Sequence, residues 1–392
     1  MAEPITVAQL IPSLSPTGPI RVVLDLVKYL DRSRYVPVLV PFEVSSSEAP
    51  AAVSREFGVE VRPLNTPWWF GGRTEVSNIL TSTDAGLVHV HCYAPMVLAA
   101  SLRRSIPKML TLHNWPWLNY RELHGGFRTA LMWGIERSLL RRYDAVAPCS
   151  KSLALDLQNR GCGPVVPIQN GVDPEQFSAT TTEQRAAARR ALGIPPAATV
   201  FVCVGQLIAL KGVLSVLAGY VAAGLDHARL IVVGEGPLAP QCKAVAAGRS
   251  DIVIAGFRSD ISLMLSAADI YVSASATEGM PLAVLEAYRA GLWLLLSDIP
   301  AHREVLEGEA GTGVLYQRTE DLGAVMRREV NRLSGCRHTK AGREQFSSLE
   351  MARQYQRVYD RLITGSRCPK ASEDSVKQEG AFHAGLSCHT EL

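Results

Sequence analysis

The sequence predicts an α/β protein of two βα-rich halves that face each other across a cleft. Three observations predict it. The first half opens with an apolar run at residues 4–11, a Ser-Pro-Thr-Gly-Pro loop, and a helix with Val22, Val23, Leu26, Val27 and Leu30 at helical spacing. The alternation is interrupted by a polar, Ala/Thr/Arg-rich stretch from Pro174 to Pro196 and begins again at Val200. Residues 269–298 then read as strand, loop, helix, strand. Ile270 to Val272 is the strand and a small polar loop follows. A helix starts at Met280-Pro281 and carries Leu282, Val284, Leu285, Ala287 and Tyr288. Gly291 ends it before the apolar run Leu292 to Leu296.

In the first half, Tyr35 to Pro41 reads as a second strand and Ala49 to Phe57 as a helix. Trp68, Trp69 and Phe70, ahead of Gly71-Gly72, form an exposed aromatic loop. Leu87 to His91 and Lys108 to Leu112 are strands, the second running into His113-Asn114-Trp115. Ala145 to Pro148 leads to Ser150, a residue type that caps the helix expected from Lys151. Val165 to Ile168 reads as the last strand of this half. In the second half, Val200 to Val204, Leu230 to Val233, Ile252 to Ala255 and Gly313 to Leu315 read as strands, and Val213 to Gly219 as a helix. Helical patterns recur at 319–333 and 347–363. The expected units are residues 1–173 and residues 174–346, with a helix at about 347–365 returning to the first. Residues 366–392 lose periodicity and read as a disordered tail.

Composition excludes several classes. Hydrophobic content of 47% and charged content of 20% are those of a soluble globular chain. A net charge of +3 gives no general attraction to nucleic acid. The N-terminus carries an early acid and no basic region, and reads as a first buried strand rather than a signal peptide. No apolar run reaches the length of a membrane span. The eight cysteines are scattered, without a C-x-x-C pair, and read as reduced thiols of a cytoplasmic protein.

The chemistry concentrates around Glu278, just before the helix of the 269–298 unit, and Glu286, inside it. A helix N-terminus presents free backbone N–H groups and partial positive charge, a ready anion site. A carboxylate beside such a site serves hydroxyls rather than the anion, so a phosphorylated, polyhydroxylated ligand is expected. Gly205, straight after a strand, lets a ligand approach the backbone, and Lys211 six residues on can neutralise a phosphate.

These residues resemble the donor domain of a GT-B glycosyltransferase, in the retaining group called glycosyltransferase family four. The likeness is carried by Gly205…Lys211-Gly212, Gly234-Glu235-Gly236-Pro237, Gly256-Phe257, Ala268-Asp269-Ile270 and Glu278-Gly279-Met280-Pro281-Leu282…Glu286-Ala287. In the first half, Glu136…Asp144, Ser150 and Asn170-Gly171-Val172-Asp173…Phe177 resemble the family's crossover region. The resemblance covers roughly residues 1–365. It implies the GT-B fold, two Rossmann-like βαβ domains: residues 1–173 for the acceptor and 174–346 for a nucleotide sugar.

It also implies roles. Glu278 touches the transferred sugar and Glu286 takes the ribose hydroxyls. The amides of Gly279, Met280, Pro281 and Leu282, with the helix dipole, face the diphosphate (the proline adds no N–H). Lys211 stabilises charge on the leaving group, beside Gly205 and Gln206. The backbone at Phe257 and Arg258 meets the base. His113 lies beside the reacting sugar, as catalytic as Glu278 and Lys211. On the acceptor side, Thr17 and Gly18 form the loop under the diphosphate and acceptor, and His91 either lines the acceptor site or is an ordinary strand-end histidine. His89 reads as a core residue pointing the other way.

Two residues depart from the family pattern. Gln206 stands where an arginine is usual, so either Lys211 and the helix carry the diphosphate or another cation such as Arg21 or Arg258 helps. Thr17 stands where a second glycine is common. No Asp-x-Asp occurs, so no cofactor or divalent metal is expected. Residues 117–143, with Arg103, Arg104 and Lys108 upstream, give a basic, aromatic-edged face. It reads either as a peripheral dock on the inner face of a cell membrane or as a packed helix with surface arginines. The function implied is transfer of a sugar from a nucleotide sugar to a glycan or lipid-linked acceptor in bacterial cell-surface polysaccharide synthesis. A sugar-nucleotide epimerase of the same architecture and a non-catalytic sugar-nucleotide-binding partner protein are the alternatives.

Overall fold

The computed structural model describes residues 3–102, 105–115, 126–307, 311–317, 321–333 and 345–365. The expected tail at 366–392, the start of the 319–333 pattern and much of the basic stretch upstream of residue 126 lie outside the described residues.

Two six-stranded parallel sheets form the halves. The first contains β1 (Ile5–Ser13), β2 (Tyr35–Glu43), β3 (Glu60–Val61), β4 (Ala85–His91), β5 (Lys108–Leu112) and β6 (Ala145–Pro148), in the order β3-β2-β1-β4-β5-β6. The second contains β7 (Thr199–Val204), β8 (Ala228–Val233), β9 (Ile252–Gly256), β10 (Ile270–Ser273), β11 (Trp293–Ser297) and β12 (Gly313–Tyr316), in the order β12-β11-β10-β7-β8-β9. Both are doubly wound orders. The chain reverses direction across the sheet between β1 and β4 in one half and between β7 and β10 in the other. Open α/β sheets bind ligands outside the carboxyl ends of the strands at such switch points.

The strand interiors explain the long apolar runs. Helices cover both faces of a parallel sheet, so nearly every strand residue is buried: Val7 to Ile11, Val38 to Val40 and Leu292 to Leu296 are each almost wholly inaccessible. The linker helix Thr182–Ala191 is tied to the second half by Arg189, whose Nη2 donates to Asp269 Oδ2 at 2.6 Å just before β10. The last helix, Ser348–Ile363, returns to the first half. Ser347 pairs with Val172, and Met351, Tyr355, Val358 and Tyr359 pack with Val7, Leu87 and Met109. Burial of such side chains contributes roughly 2 kcal/mol each, which anchors this helix away from the domain preceding it in sequence.

Three expectations need correction. Val165 to Ile168 joins β6 through a single bridge at Val146 and does not form a strand of the sheet. Pro281 is not in the first helical turn: the helix spans Leu282–Arg289 and Pro281 is its N-cap, at φ −77° and ψ 111°. The proline fixes an extended approach, and no side chain among the described residues caps the helix. His89 does not point away from His91. Residues two apart on a strand share a face, and the two rings lie 4.1 Å apart.

Candidate functional site

The carboxyl ends of the strands in the two halves face each other, and between them lies a cleft of about 760 Å³. It is lined from the first half by Thr17, Gly18, Arg21, His113, Trp115 and Asn170. The second half contributes Gly205, Gln206, Lys211, Phe257, Arg258, Glu278 to Leu282, and Glu286. The switch-point loops after β1, β7 and β10 all reach it. Of the residues given catalytic, donor or acceptor roles from sequence, His91 alone stays off the cleft wall. It is fully buried behind His113, whose Nε2 is 3.1 Å from His91 Nδ1, so it does not line an acceptor site.

The lysine loop is held by backbone contacts. Lys211 ends a short 3-10 turn, Ala209–Lys211, and Gly212 turns the chain at φ 64° into the helix Val213–Ala223. A Cβ on Gly212 would fall 2.2 Å from Ala274 O, and Ala276 N donates to Leu210 O at 2.8 Å. The loops after β7 and β10 are thereby fixed against each other. Lys211 Nζ meets Glu278 Oε1 and Oε2 at 2.7 Å each, and Ser275 Oγ donates to Oε1 at 2.8 Å. Without ligand, the lysine charge and the carboxylate neutralise one another.

Glu286 is fully buried on the helix Leu282–Arg289. One oxygen pairs with Arg21 Nη2, which reaches it from the helix Gly18–Tyr29 of the opposite half. The other, Oε2, is buried without a partner among the described residues. Burial raises the carboxyl pKa, and the Arg21 guanidinium opposes that rise. The uncapped turn before it exposes backbone amides to the cleft. Phe257, 61% exposed, offers a flat apolar face at the rim, and Arg258 beside it is committed to Asp260 at 2.5 Å.

Sequence reasoning missed the contacts that join the halves. Trp115 Nε1 donates to Glu278 O at 2.8 Å, and Asn170 Nδ2 to Met280 O at 3.1 Å. Glu304 accepts from the amides of Lys151 at 2.8 Å and Ser152 at 3.1 Å, docking the second half on a helix N-terminus of the first. Their partners are backbone groups of the other half, so no local pattern marks them.

Residues 16–176 match a family model described as Glycosyltransferase Family 4, and residues 198–331 match one described as Glycosyl transferases group 1. A UDP-Gal:alpha-D-GlcNAc-diphosphoundecaprenol alpha-1,3-galactosyltransferase of Escherichia coli is 31% identical over 150 residues, 36% of this chain and 38% of that protein. A GDP-mannose-dependent alpha-(1-6)-phosphatidylinositol dimannoside mannosyltransferase of Mycobacterium tuberculosis is 29% identical over 197 residues, 48% of this chain and 50% of that protein. The matched segments thus span about half of these relatives or less. Among solved structures, Anabaena HepE in complex with UDP and glucose superimposes with a TM-score of 0.75 at 18% identity, covering 91% of this chain and 99% of that one. Sucrose-phosphate synthase from Thermosynechococcus elongatus gives 0.76 at 18% identity, covering 92% and 100%. Those likenesses establish the fold. With one family model on each half and two facing doubly wound sheets between which the cleft lies, the chain belongs to the group 1, family four glycosyltransferases of GT-B fold.

Proposed function

We propose that this chain is a retaining, metal-independent glycosyltransferase that moves a sugar from a nucleoside diphosphate sugar to a lipid-linked glycan acceptor in cell-surface polysaccharide synthesis. The observation that carries the reading is the convergence of Lys211, Glu278, Glu286, an uncapped helix N-terminus and His113 on one cleft at two facing switch points. In this reading the base lies against Phe257. The ribose hydroxyls meet Glu286, whose Oε2 awaits a donor. The diphosphate lies on the amides of the Glu278–Leu282 turn and on Lys211. The sugar lies between Glu278 and His113.

In the reaction, the bond from the anomeric carbon to the diphosphate oxygen breaks and a bond to the acceptor oxygen forms on the same face. The acceptor proton passes to the departing phosphate oxygen. Lys211 and the amides stabilise the charge that builds there. The relatives' printed names give alpha linkages, and the common UDP-hexose and GDP-mannose donors are alpha-linked. That supports retention, and their diphosphoundecaprenol and phosphatidylinositol acceptors support a lipid-linked one. A radiolabelled panel of UDP-, GDP- and ADP-sugars with a polyprenyl diphosphate-linked glycan tests the reading. Transfer to the lipid supports it, while an altered free nucleotide sugar with no transfer overturns it.

Arg21 takes a second role here. Gln206 lines the cleft but carries no charge. Arg21 faces the helix that binds the diphosphate, and the ribose displaces it from Glu286. Free of Glu286, it becomes the second cation on the diphosphate. Arg21→Gln should then weaken UDP or GDP roughly tenfold relative to the nucleoside, with Gln206→Arg restoring most of the loss. Calorimetric titration decides, and tighter binding of both ligands to Arg21→Gln would reduce Arg21 to a counter-ion.

The inner membrane face also has a candidate contact. No helix among the described residues is long and apolar enough to cross a membrane. Trp69 and Phe70 stand 71% and 78% exposed at the head of the helix Gly72–Ser82, with Arg73 following. Leu131 and Ile135, one turn apart on the helix Gly126–Leu140, are also exposed, and the helix Tyr93–Ala100 touches both of these elements. Wide apolar exposure beside arginines suits an anionic bilayer. The pair Trp69→Ser/Phe70→Ser should lower co-sedimentation with phosphatidylglycerol vesicles about tenfold, with unchanged binding removing this loop from any membrane contact.

A further inference from the structure

Behind His113 runs a fully buried chain of polar side chains. His113 Nε2 lies 3.1 Å from His91 Nδ1, and His91 Nε2 lies 3.0 Å from Gln9 Oε1 on the neighbouring strand. Gln9 Nε2 donates to Tyr359 OH at 3.2 Å, on the last helix. Tyr359 OH is 2.7 Å from His89 Nδ1, and His89 Nε2 is 2.8 Å from Thr111 Oγ1. Thr111 Oγ1 in turn meets Tyr355 OH at 2.9 Å. Gln9, His89, His91 and Thr111 are all wholly inaccessible. Four sequence-distant segments build this chain, and the reaction uses none of it beyond His113.

Its direction is fixed at Gln9. The carboxamide nitrogen is committed to Tyr359, so the oxygen faces His91 and accepts. His91 therefore carries its proton on Nε2 and presents a bare Nδ1. That nitrogen can only accept, so His113 carries its proton on Nε2. Burial lowers the pKa of His91 far below the ordinary histidine range and that of His113 to about 4, so each ring is neutral and holds one proton. The remaining nitrogen of His113, Nδ1, is buried and has no partner among the described residues, on a residue that lines the cleft.

We infer that Gln9 and His91 are positioning residues that lock His113 in the tautomer protonated at Nε2, so that its Nδ1 accepts a hydrogen bond from a hydroxyl of the bound sugar. The inference rests on the glycosyltransferase reading for the identity of the ligand, though not for the tautomer. It assigns His113 a selective role. A neutral imidazole with a bare Nδ1 favours a hydroxyl there and disfavours a group that can only accept. His113 is then a hydroxyl acceptor and not a proton donor to the leaving group.

The test begins with the ligand-free full chain, labelled with 15N-histidine, at neutral pH. Two-bond nitrogen–proton spectra distinguish the tautomers, and His91→Phe and His113→Asn assign the signals. His91 and His113 should both show protonated Nε2. Gln9→Leu should let His113 populate the other tautomer. A wild-type His113 protonated at Nδ1 overturns the proposal even if Gln9→Leu does not fold. A second arm compares the affinities of UDP-galactose, UDP-glucose or GDP-mannose with their monofluorodeoxy forms, in which fluorine cannot donate. One position should lose roughly tenfold to a hundredfold in wild type and much less in His113→Asn. An equal affinity for every fluorinated form overturns the acceptor role. Loss of transfer with the tautomers intact counts against the reaction rather than the lock.

Discussion

Lys211→Ala should lower kcat/KM by roughly a hundredfold to a thousandfold, the range for removing one preorganised stabiliser of developing charge. The loss has two sources. The first is the departing diphosphate, which loses the one lysine among the described residues that line the cleft. The second is Glu278, whose carboxylate meets Lys211 through both oxygens and whose side chain is only 11% exposed. Once the lysine is gone, Ser275 remains its single side-chain donor among the described residues. An unpaired carboxylate in a recessed site repels the diphosphate that must lie next to it. Nucleoside diphosphate affinity should therefore fall together with turnover. Glu278→Gln separates the two sources, because it releases Lys211 while keeping the shape of the side chain. It should bind UDP or GDP as well as wild type or better, yet turn over far more slowly. Steady-state kinetics and calorimetry on the two variants are the measurement. A Lys211→Ala rate within about threefold of wild type, too small a change for a leaving-group stabiliser, would remove the lysine from that role.

The parts of this site that were legible in the sequence are those built from one short segment. Glu278 and Glu286 lie on one loop and helix, and the Gly205 to Lys211 loop follows one strand, so spacing alone places their side chains together. The contacts that complete the cleft span the chain instead. Trp115 meets Glu278 O across 163 residues and Asn170 meets Met280 O across 110. Arg21 reaches Glu286 across 265. Nothing in a local pattern encodes such pairs, since each depends on how the two sheets dock. The strand-end histidines show the same limit at closer range. Alternation places His89 and His91 on one face, but whether His91 or His113 meets the cleft depends on the stagger of β4 against β5, where His91 pairs with Thr111. That stagger carries the chain past Leu112 and leaves His113 one layer nearer the cleft. The helix Tyr93–Ala100 went unread for a different reason. It is apolar all round and buried at Pro95, Met96, Leu98 and Ala99, so it has no polar face to set a period.

Gly279→Ala should abolish most turnover while costing donor binding no more than the roughly tenfold that Arg21 supplies from the first half. A Cβ built on Gly279 would fall 2.1 Å from His113 O, 2.9 Å from His113 C and 3.0 Å from Cys149 Sγ. Two of those atoms are backbone, so no rotamer change relieves the clash. His113 and Cys149 belong to the first half and Gly279 to the second, and the softest response is for the halves to part. Parting also strains the bond from Trp115 Nε1 to Glu278 O, made one residue away. Lys211, Phe257, Glu278 and Glu286 all travel with the second half, so the nucleotide keeps most of its contacts. What is lost is the approach of His113 and the acceptor to the sugar, and a misplacement of about 1 Å costs roughly a hundredfold in rate. Overpacking of this kind destabilises by about 1–3 kcal/mol when it cannot relax, and less when a hinge absorbs it, so the melting temperature should move little. Gly212→Ala makes the contrast. Its Cβ would fall 2.2 Å from Ala274 O within the same half, at φ 64°, so it distorts the lysine loop and should weaken nucleotide binding directly. Small-angle scattering, calorimetry and turnover on the two variants distinguish a parted cleft from a damaged donor site. A Gly279→Ala protein that turns over within about threefold of wild type would mean that the halves need not meet this closely for the sugar to move.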